Sequence, residues 1–252
     1  MDPSNYLLAR VNILPTGAYA IRSLPQSKMR VAFTNPPPTT LMGAFTYSLL
    51  RKTGKNKEII YSDDYEKAYS PMEEIKDIFS AIAIKITGRI TTFGTLLRIN
   101  RMYRKEVGYA VTSLPMAMLF GTDPYEISLL YLFDLEKAKL HDFSEKDLLN
   151  ACWGVTRLGS KESIVSVEQV QKMAFTTTTV SSAETSYSFV YRDDFIFVDN
   201  CDITMVVNWA EPLGNYSEIS RIPYVYPQNR LKVTSSKKFQ IINFKEDCLI
   251  LA

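Results

Sequence analysis

Residues 6–14 (YLLARVNIL) form a largely apolar run that reads as a strand, closed by Pro15 and Gly17. Residues 22–30 (RSLPQSKMR) read as a basic loop, and Pro36-Pro37-Pro38 as a rigid extended run that delivers the chain to Thr39 and Thr40. Either threonine suits the cap of a helix running from residue 41 to about 51. Leu41, Phe45 and Leu49 recur at i, i+4 and i+8, and Met42, Ala44 and Leu50 widen the apolar surface. Such a helix is expected to be buried on more than one side. Arg51 and Lys52 suit its C-terminal dipole, and Gly54 stops it.

Residues 58–78 are acidic and Tyr-rich, with Pro71 opening a short helical stretch. Ile82, Ile84 and Ile86 alternate within residues 79–90, the period of a strand. Residues 91–114 read as a long hairpin or arm, and 125–133 as the next strand. Ser144-Glu145-Lys146-Asp147 opens a second helix in near-capping-box form, which Gly159 is expected to terminate. A strand over 164–170 follows. The order β, α, β, hairpin, β, α, β is close to the ferredoxin-like pattern. Residues 174–186 (AFTTTTVSSAETS) are small and polar and read as a mobile loop. Beyond them strands are expected at 187–191, 195–198, 203–209, 222–226 and 239–251, a smaller β-rich extension. The predicted class is therefore α+β: a ferredoxin-like (RRM-like) palm over 1–173 with a β-hairpin thumb at 91–112, and a β-rich subdomain over 187–252.

Composition changes this picture little, but charge changes it a good deal. The formal net charge is only +2, yet it is unevenly spread. Residues 1–60 carry eight Lys and Arg against two acids, and residues 61–84 reverse the sign with six acids against Lys67 and Lys76. Residues 85–105 then hold six cations and no acid. Two basic blocks around an acidic one imply a directional surface with one part facing a polyanion. The 15 Tyr and 13 Phe exceed what packing needs and leave some rings free for stacking.

Several chemistries lack their residues. The single histidine, His141, precludes a zinc site with two histidines, and Cys152, Cys201 and Cys248 lie too far apart for a CxxC knuckle or a disulfide framework. They read as buried reduced thiols. A nucleophile paired with histidine would have to use His141, and no GxSxG elbow, GxxxxGK[ST] loop or GxGxxG turn is present. The acid pairs Asp63-Asp64, Glu73-Glu74 and Asp193-Asp194 read as solvated neighbours, the last in a turn after Arg192. No catalytic residue, metal or cofactor is expected. Met1-Asp2-Pro3-Ser4-Asn5 leads into no signal-peptide pattern, and no run of about 18 apolar residues occurs, so a cytoplasmic protein without a membrane span is expected.

Three stretches suit single-stranded RNA. At residues 37–43 the start of the first helix offers N–H groups, with the hydroxyls of Thr39 and Thr40, to phosphate oxygens. Arg98, Arg101, Tyr103, Arg104 and Lys105 interleave cations with an aromatic ring along the arm, four charges in eight residues without an acid. Arg157, Ser160, Lys161 and Ser163 concentrate donors in a loop between helix and strand. Arg22, Lys28 and Arg30 of the basic loop add further phosphate contacts. The aromatic signature of RRM sheets is missing, so stacking on the sheet centre is not expected.

PPPTTLMGAF after a first strand and basic loop, then a long mid-chain arm, then RLGSKESIVSV after a second helix resemble the Cas-five family of CRISPR-associated RAMP proteins. The style is similar to that of the archaeal type I-A branch. The likeness covers the N-terminal two-thirds well and the β-rich remainder loosely. It implies a subunit of a Cascade surveillance complex that holds the 5′ handle of the crRNA and caps the filament of backbone subunits. Its implied partners are the crRNA, the backbone subunit and a large subunit, and a contact with target DNA near the PAM stays open. Some relatives cleave precursor RNA by metal-independent acid–base chemistry with Tyr, Lys and His. Here the only histidine precedes the second helix instead of flanking a basic loop, so binding without cleavage is the expectation. The alternatives are a metal-independent endoribonuclease and a protein scaffold without RNA contact.

Overall fold

The computed structural model describes residues 1–21, 33–54, 60–61, 68–103, 106–120, 126–160, 163–198, 200–212, 219–245 and 247–251. In chain order its elements begin with β1 (Tyr6–Pro15), α1 (Pro38–Lys52) and the two-residue strands β2 (Ile60–Tyr61) and β3 (Ala68–Tyr69). Two 3-10 turns, Pro71–Glu74 and Lys76–Ile78, lead into β4 (Phe79–Thr87). A hairpin of β5 (Arg89–Tyr103) and β6 (Glu106–Phe120) comes next, then β7 (Glu126–Asp134), α2 (Leu135–Leu140), α3 (Glu145–Trp153) and β8 (Val165–Met173). The remainder is strand: β9 (Thr176–Thr185), β10 (Phe189–Val190), β11 (Phe195–Phe197) and β12 (Cys201–Val207), then β13 (Arg221–Pro227), β14 (Leu231–Phe244) and β15 (Asp247–Leu251). The protein is α+β, with far more sheet than helix.

β4, β7, β1 and β8 pair in that order, antiparallel throughout, into the central sheet. Alternation along β1 sends Leu7, Ala9, Val11 and Ile13 to one face, where all four are fully buried under α1 and α3. α1 meets them with Leu41, Phe45 and Leu49, and Met42, Ala44 and Leu50 are buried as well, so the helix is covered on more than one side as its sequence predicts. Phe45, Phe79, Tyr131 and Phe133 form an aromatic cluster with centroids 4.8–6.0 Å apart. The buried Tyr131 hydroxyl is satisfied by donating to the Leu41 carbonyl at 2.9 Å.

The opposite face carries Leu8, Ala83, Leu130, Leu132 and Met173, covered by Tyr187, Ile242, Phe244 and Leu249 from the C-terminal strands. Those strands form two sheets, β10-β13-β12 and one in which the long β14 pairs β9, β11 and β15. A further apolar cluster lies among them, around Phe189, Phe195, Leu231 and Phe239. The edge of β4 is shielded too: Ser188 N–H donates to Ile84 O (2.9 Å), Ile84 N–H to Ser188 Oγ (3.0 Å), and Tyr224 OH to Ile82 O. The helix face is thus closed, and the C-terminal strands cover the apolar part of the other.

The structure corrects five local expectations. Residues 174–186 are no loop. Thr176–Thr185 pairs with β14, because threonine is β-branched and a polar strand suffices where one face meets solvent. Residues 239–251 are two strands, turned at Lys245 with a left-handed φ of 47°. α3 opens with a full capping box at Ser144 and Asp147 but ends at Trp153 with Gly154 as its cap, so Gly159 lies beyond it. α2 was not anticipated; Asp134 caps it by accepting from Glu136 and Lys137 N–H. Finally, Pro37 occupies the N-cap of α1 without a side-chain bond, and Thr39 and Thr40 sit inside the first turn. Proline at the first helical position, with φ preset and no N–H to satisfy, starts this helix instead of a hydroxyl. Among the described residues no helix is long and apolar enough to cross a membrane.

Candidate nucleic-acid interface

One end of the central sheet gathers most of the stretches singled out above. The pairs Ile13↔Ile127, Thr87↔Glu126 and Pro15↔Val165 place the end of β1, the end of β4 and the start of β8 at the same rim. From that rim the β5–β6 hairpin departs at Gly88, whose φ of 120° suits glycine at the bend. Each of its strands has 15 residues. At about 3.4 Å per residue the arm reaches on the order of 50 Å. It runs past 91–112 at both ends.

Residues 19–21 fasten three elements together here. Tyr19 and Ala117 of β6 exchange two backbone hydrogen bonds of 2.7 Å. Ala20 N–H donates to Ser163 Oγ at 2.8 Å, and Ser160 N–H donates back to Ala20 O at 3.0 Å. Phe33 N–H donates to Ile21 O at 2.8 Å, so the two residues flanking the basic loop stand side by side at the rim. Tyr19 OH reaches Thr34 O at 2.6 Å, four residues before α1. Burial pushes the Tyr19 hydroxyl well above its ordinary range, so it acts as a donor at any ordinary pH. Hairpin base, basic-loop ends, helix start and the 157–163 loop thus share one edge.

The individual residues fare differently. Thr39 and Thr40 are half-buried in the first turn of α1. Thr40 and Leu41 N–H both donate to Pro37 O, and Pro37 and Pro38 have none to offer. The helix start therefore presents the Thr39 N–H and two hydroxyls, fewer donors than expected. Arg157 lies over the Tyr47 ring at 4.8 Å, and Arg51 approaches the same ring at 5.5 Å while donating to its hydroxyl. Ser163 is buried and its hydroxyl bonds with Ala20 and Ser160, which holds the loop in place. Ser160 is half-buried beside it. Arg98, Arg101 and Tyr103 lie on β5 opposite Val111, Gly108 and Glu106, toward the free end of the hairpin. Arg22, Lys28, Arg30, Arg104, Lys105 and Lys161 lie outside the described residues.

Sequence reasoning passed over Tyr19, Ala20 and Tyr47 and gave Arg51 only a part in the helix dipole, although all four build or border the rim. It also misread Gly159. That residue has a φ of 99°, and a Cβ there would lie 2.7 Å from Ile21 Cγ1 and 2.8 Å from Ala20 O. Only glycine lets the 157–163 loop approach Ala20 so closely. The signal was available in Gly17-Ala18-Tyr19-Ala20, small residues around one ring where close backbone approach is feasible. His141 is far from all this. It follows α2, at the end of the sheet where Tyr6 pairs Asp134, and its Nε2 lies 2.8 Å from an Asp77 carboxylate oxygen.

No family profile matches the sequence. Two curated proteins of Saccharolobus solfataricus are similar to it. The CRISPR system aCascade subunit Cas5 1 is 27% identical over 150 residues, and the CRISPR-associated protein Cas5 3 is 27% identical over 153. The chain is similar to Cas5 proteins. The matched region is 58% of this chain and spans 56% of the length of each of these relatives. A CRISPR protein from Archaeoglobus fulgidus, known from its crystal structure, shares the fold, with a TM-score of 0.62 at 20% identity. That likeness covers 97% of this chain and 98% of the other, so the C-terminal strands share it. The resemblance to the Cas-five family therefore holds.

Proposed function

We propose that this chain is a non-catalytic subunit of a type I CRISPR surveillance complex, holding the 5′ handle of the crRNA at the rim and capping one end of the backbone filament. The carrying observation is the convergence of hairpin base, basic-loop ends and 157–163 loop on Tyr19–Ala20–Ile21. A single-stranded RNA laid along that rim would meet cations from three separated parts of the chain, as polyanion binding requires. In this reading the β4-β7-β1-β8 sheet with α1 and α3 is a ferredoxin-like palm and the hairpin its thumb. Arg98, Arg101, Arg104 and Lys105 grip phosphates, Tyr103 stacks, and Arg157, held on Tyr47, guards the loop side with Ser160 and Lys161. Ser163 and Gly159 position that loop.

The test is a titration of handle RNA, with the protein in its assembled complex, at several salt concentrations. Replacing Arg98, Arg101 and Arg104 by Ala should flatten the log–log salt slope by roughly 2 units, about 0.7 per phosphate neutralised. Parallel plots for parent and variant would remove the arm from the interface. Incubation with repeat RNA in EDTA examines the other half of the reading: a cleaved product that depends on this chain would make it an endoribonuclease.

A further inference from the structure

On the face of the central sheet opposite the helices, the apolar cover stops short and leaves a cleft of about 610 Å³. Four cations from four elements line it: Arg10 of β1, Lys85 of β4, Arg230 just before β14, and Lys245 in the β14–β15 turn. Its floor is the buried pair Tyr187 and Phe244, whose rings meet edge to face with centroids 5.6 Å apart. Lys245 also borders an adjoining hollow of about 450 Å³.

The acids near this cleft offset only part of its positive charge. Asp247 Oδ1 accepts the backbone N–H groups of Ser186 (3.1 Å) and Cys248 (2.9 Å). Glu184 pairs with Arg230 at 3.5 Å, and both are half exposed. Among the described residues Arg10, Lys85 and Lys245 have no carboxylate partner. Arg10 donates through Nη2 to Gln171, but its Nε is buried without any hydrogen-bond partner. A buried guanidinium N–H left unsatisfied costs free energy, and folded chains rarely retain one without a use. Lys245, a side chain with a Cβ, also takes the left-handed conformation that glycine or asparagine usually fills at such a turn.

We propose that this cleft is a phosphate-binding site for a nucleotide, separate from the rim. The volume falls within the about 300–1,000 Å³ of small-ligand pockets. The planar guanidinium of Arg10, with Lys85 and Lys245 as point charges on either side, suits a phosphate oxygen fork. The nucleotide has two sources, a free 5′-nucleotide or one unit of an RNA strand, and both present the same phosphate.

Titration calorimetry of the full chain with adenosine 5′-monophosphate, the dinucleotide ApA and adenosine tests the site. The monophosphate should bind and adenosine should not. Binding of ApA as well assigns the site to a strand, and its failure to bind assigns it to a free nucleotide. Lys85→Ala with Lys245→Ala should weaken monophosphate binding at least tenfold. Should that double variant fold poorly, Lys245→Ala alone, in an exposed turn, should weaken it at least threefold. No binding of the monophosphate, equal binding of adenosine, or unchanged affinity in a folded variant overturns the proposal. The handle titration with the arm variant probes the arm and not this cleft, so either reading can fail without the other.

Discussion

The two faces of the central sheet are built to different rules. Toward α1 and α3, β1 presents Leu7, Ala9, Val11 and Ile13, β4 presents Ile82 and Ile84, and β7 presents Leu129, Tyr131 and Phe133, all buried. Toward the C-terminal strands the same three strands begin apolar, with Leu8, Ala83, Leu130 and Leu132. They turn polar within two residues, at Arg10, Lys85 and Ser128. There the Ser128 hydroxyl donates to Asn12 at 2.9 Å and lies 3.0 Å from the Tyr187 hydroxyl. The helix face is a closed core, covered by α1 and α3 and completed at its margin by Val206, Ile219, Tyr224 and Tyr226. The other face is half core and half polar, and its cover comes from strands far along the chain. Chemistry survives where the cover is incomplete.

If both faces nonetheless belong to one cooperative unit, removing a core side chain from either should lower a single unfolding transition. Phe45→Ala breaks the aromatic cluster on the helix face and should cost about 3–5 kcal/mol, and Ile242→Ala on the cover of the other face about 2–5 kcal/mol. Guanidinium unfolding followed by circular dichroism measures both. Two transitions, with Ile242→Ala moving only one of them, would break the comparison into two independently folding parts.

This asymmetry also explains what the sequence could disclose. β1, α1, the capping box of α3 and the long hairpin were legible because each is specified by its own residues: apolar runs, i, i+4 spacing, Ser144 with Asp147. β9 was not. Its TTTTVSS stretch lacks the apolar alternation of a half-buried strand, and its partner β14 lies some fifty residues on, so pairing alone makes it a strand. α2 has only six residues, too short for a periodic signal. The candidate site was legible as charge, in the arm and the basic loop, but not as geometry. Tyr47 and Arg157 meet across 110 positions of sequence, Ala20 and Ser163 across 143. Nothing local marks such meetings, and the cationic cleft behind the sheet, assembled from residues 10, 85, 230 and 245, is hidden for the same reason.

A smaller effect separates rim from core. Gly159→Ala places a Cβ against Ala20 O and Ile21 in a left-handed conformation. Strain of that kind costs about 1–3 kcal/mol. Because the loop is pinned to Ala20 on the solvent side of the core, the variant should fold with a lowered midpoint yet hold handle RNA less tightly. Thermal melting and the RNA titration are read together. Full RNA affinity in the variant would show that the 157–163 loop contributes nothing to the interface.

The smallest effect tests how far the helix face depends on a surface device. Ser144 and Asp147 close the capping box of α3, and Asp147 is also hydrogen-bonded and ion-paired to Lys52 at the end of α1. The Lys52 ammonium first, then the Ser144 hydroxyl and N–H, hold the Asp147 carboxyl well below the usual carboxylate range. A carboxyl depressed in the folded state stabilises above its unfolded value and loses that contribution as pH falls through the folded one. The contribution is thus complete at neutral pH and declines once the pH drops below about 3.8, the ordinary value for such a group. Ser144→Ala should cost about 1 kcal/mol at pH 7 by removing the cap. It should also make the acid side of the stability profile shallower, because the carboxyl then returns part of the way toward its ordinary value. Melting parent and variant from pH 7 down to pH 2.5 gives the gap directly. A gap that narrows on the acid side shows that the serine works through this carboxylate, whereas a gap constant across the range would mean that the serine caps the helix without help from the charge.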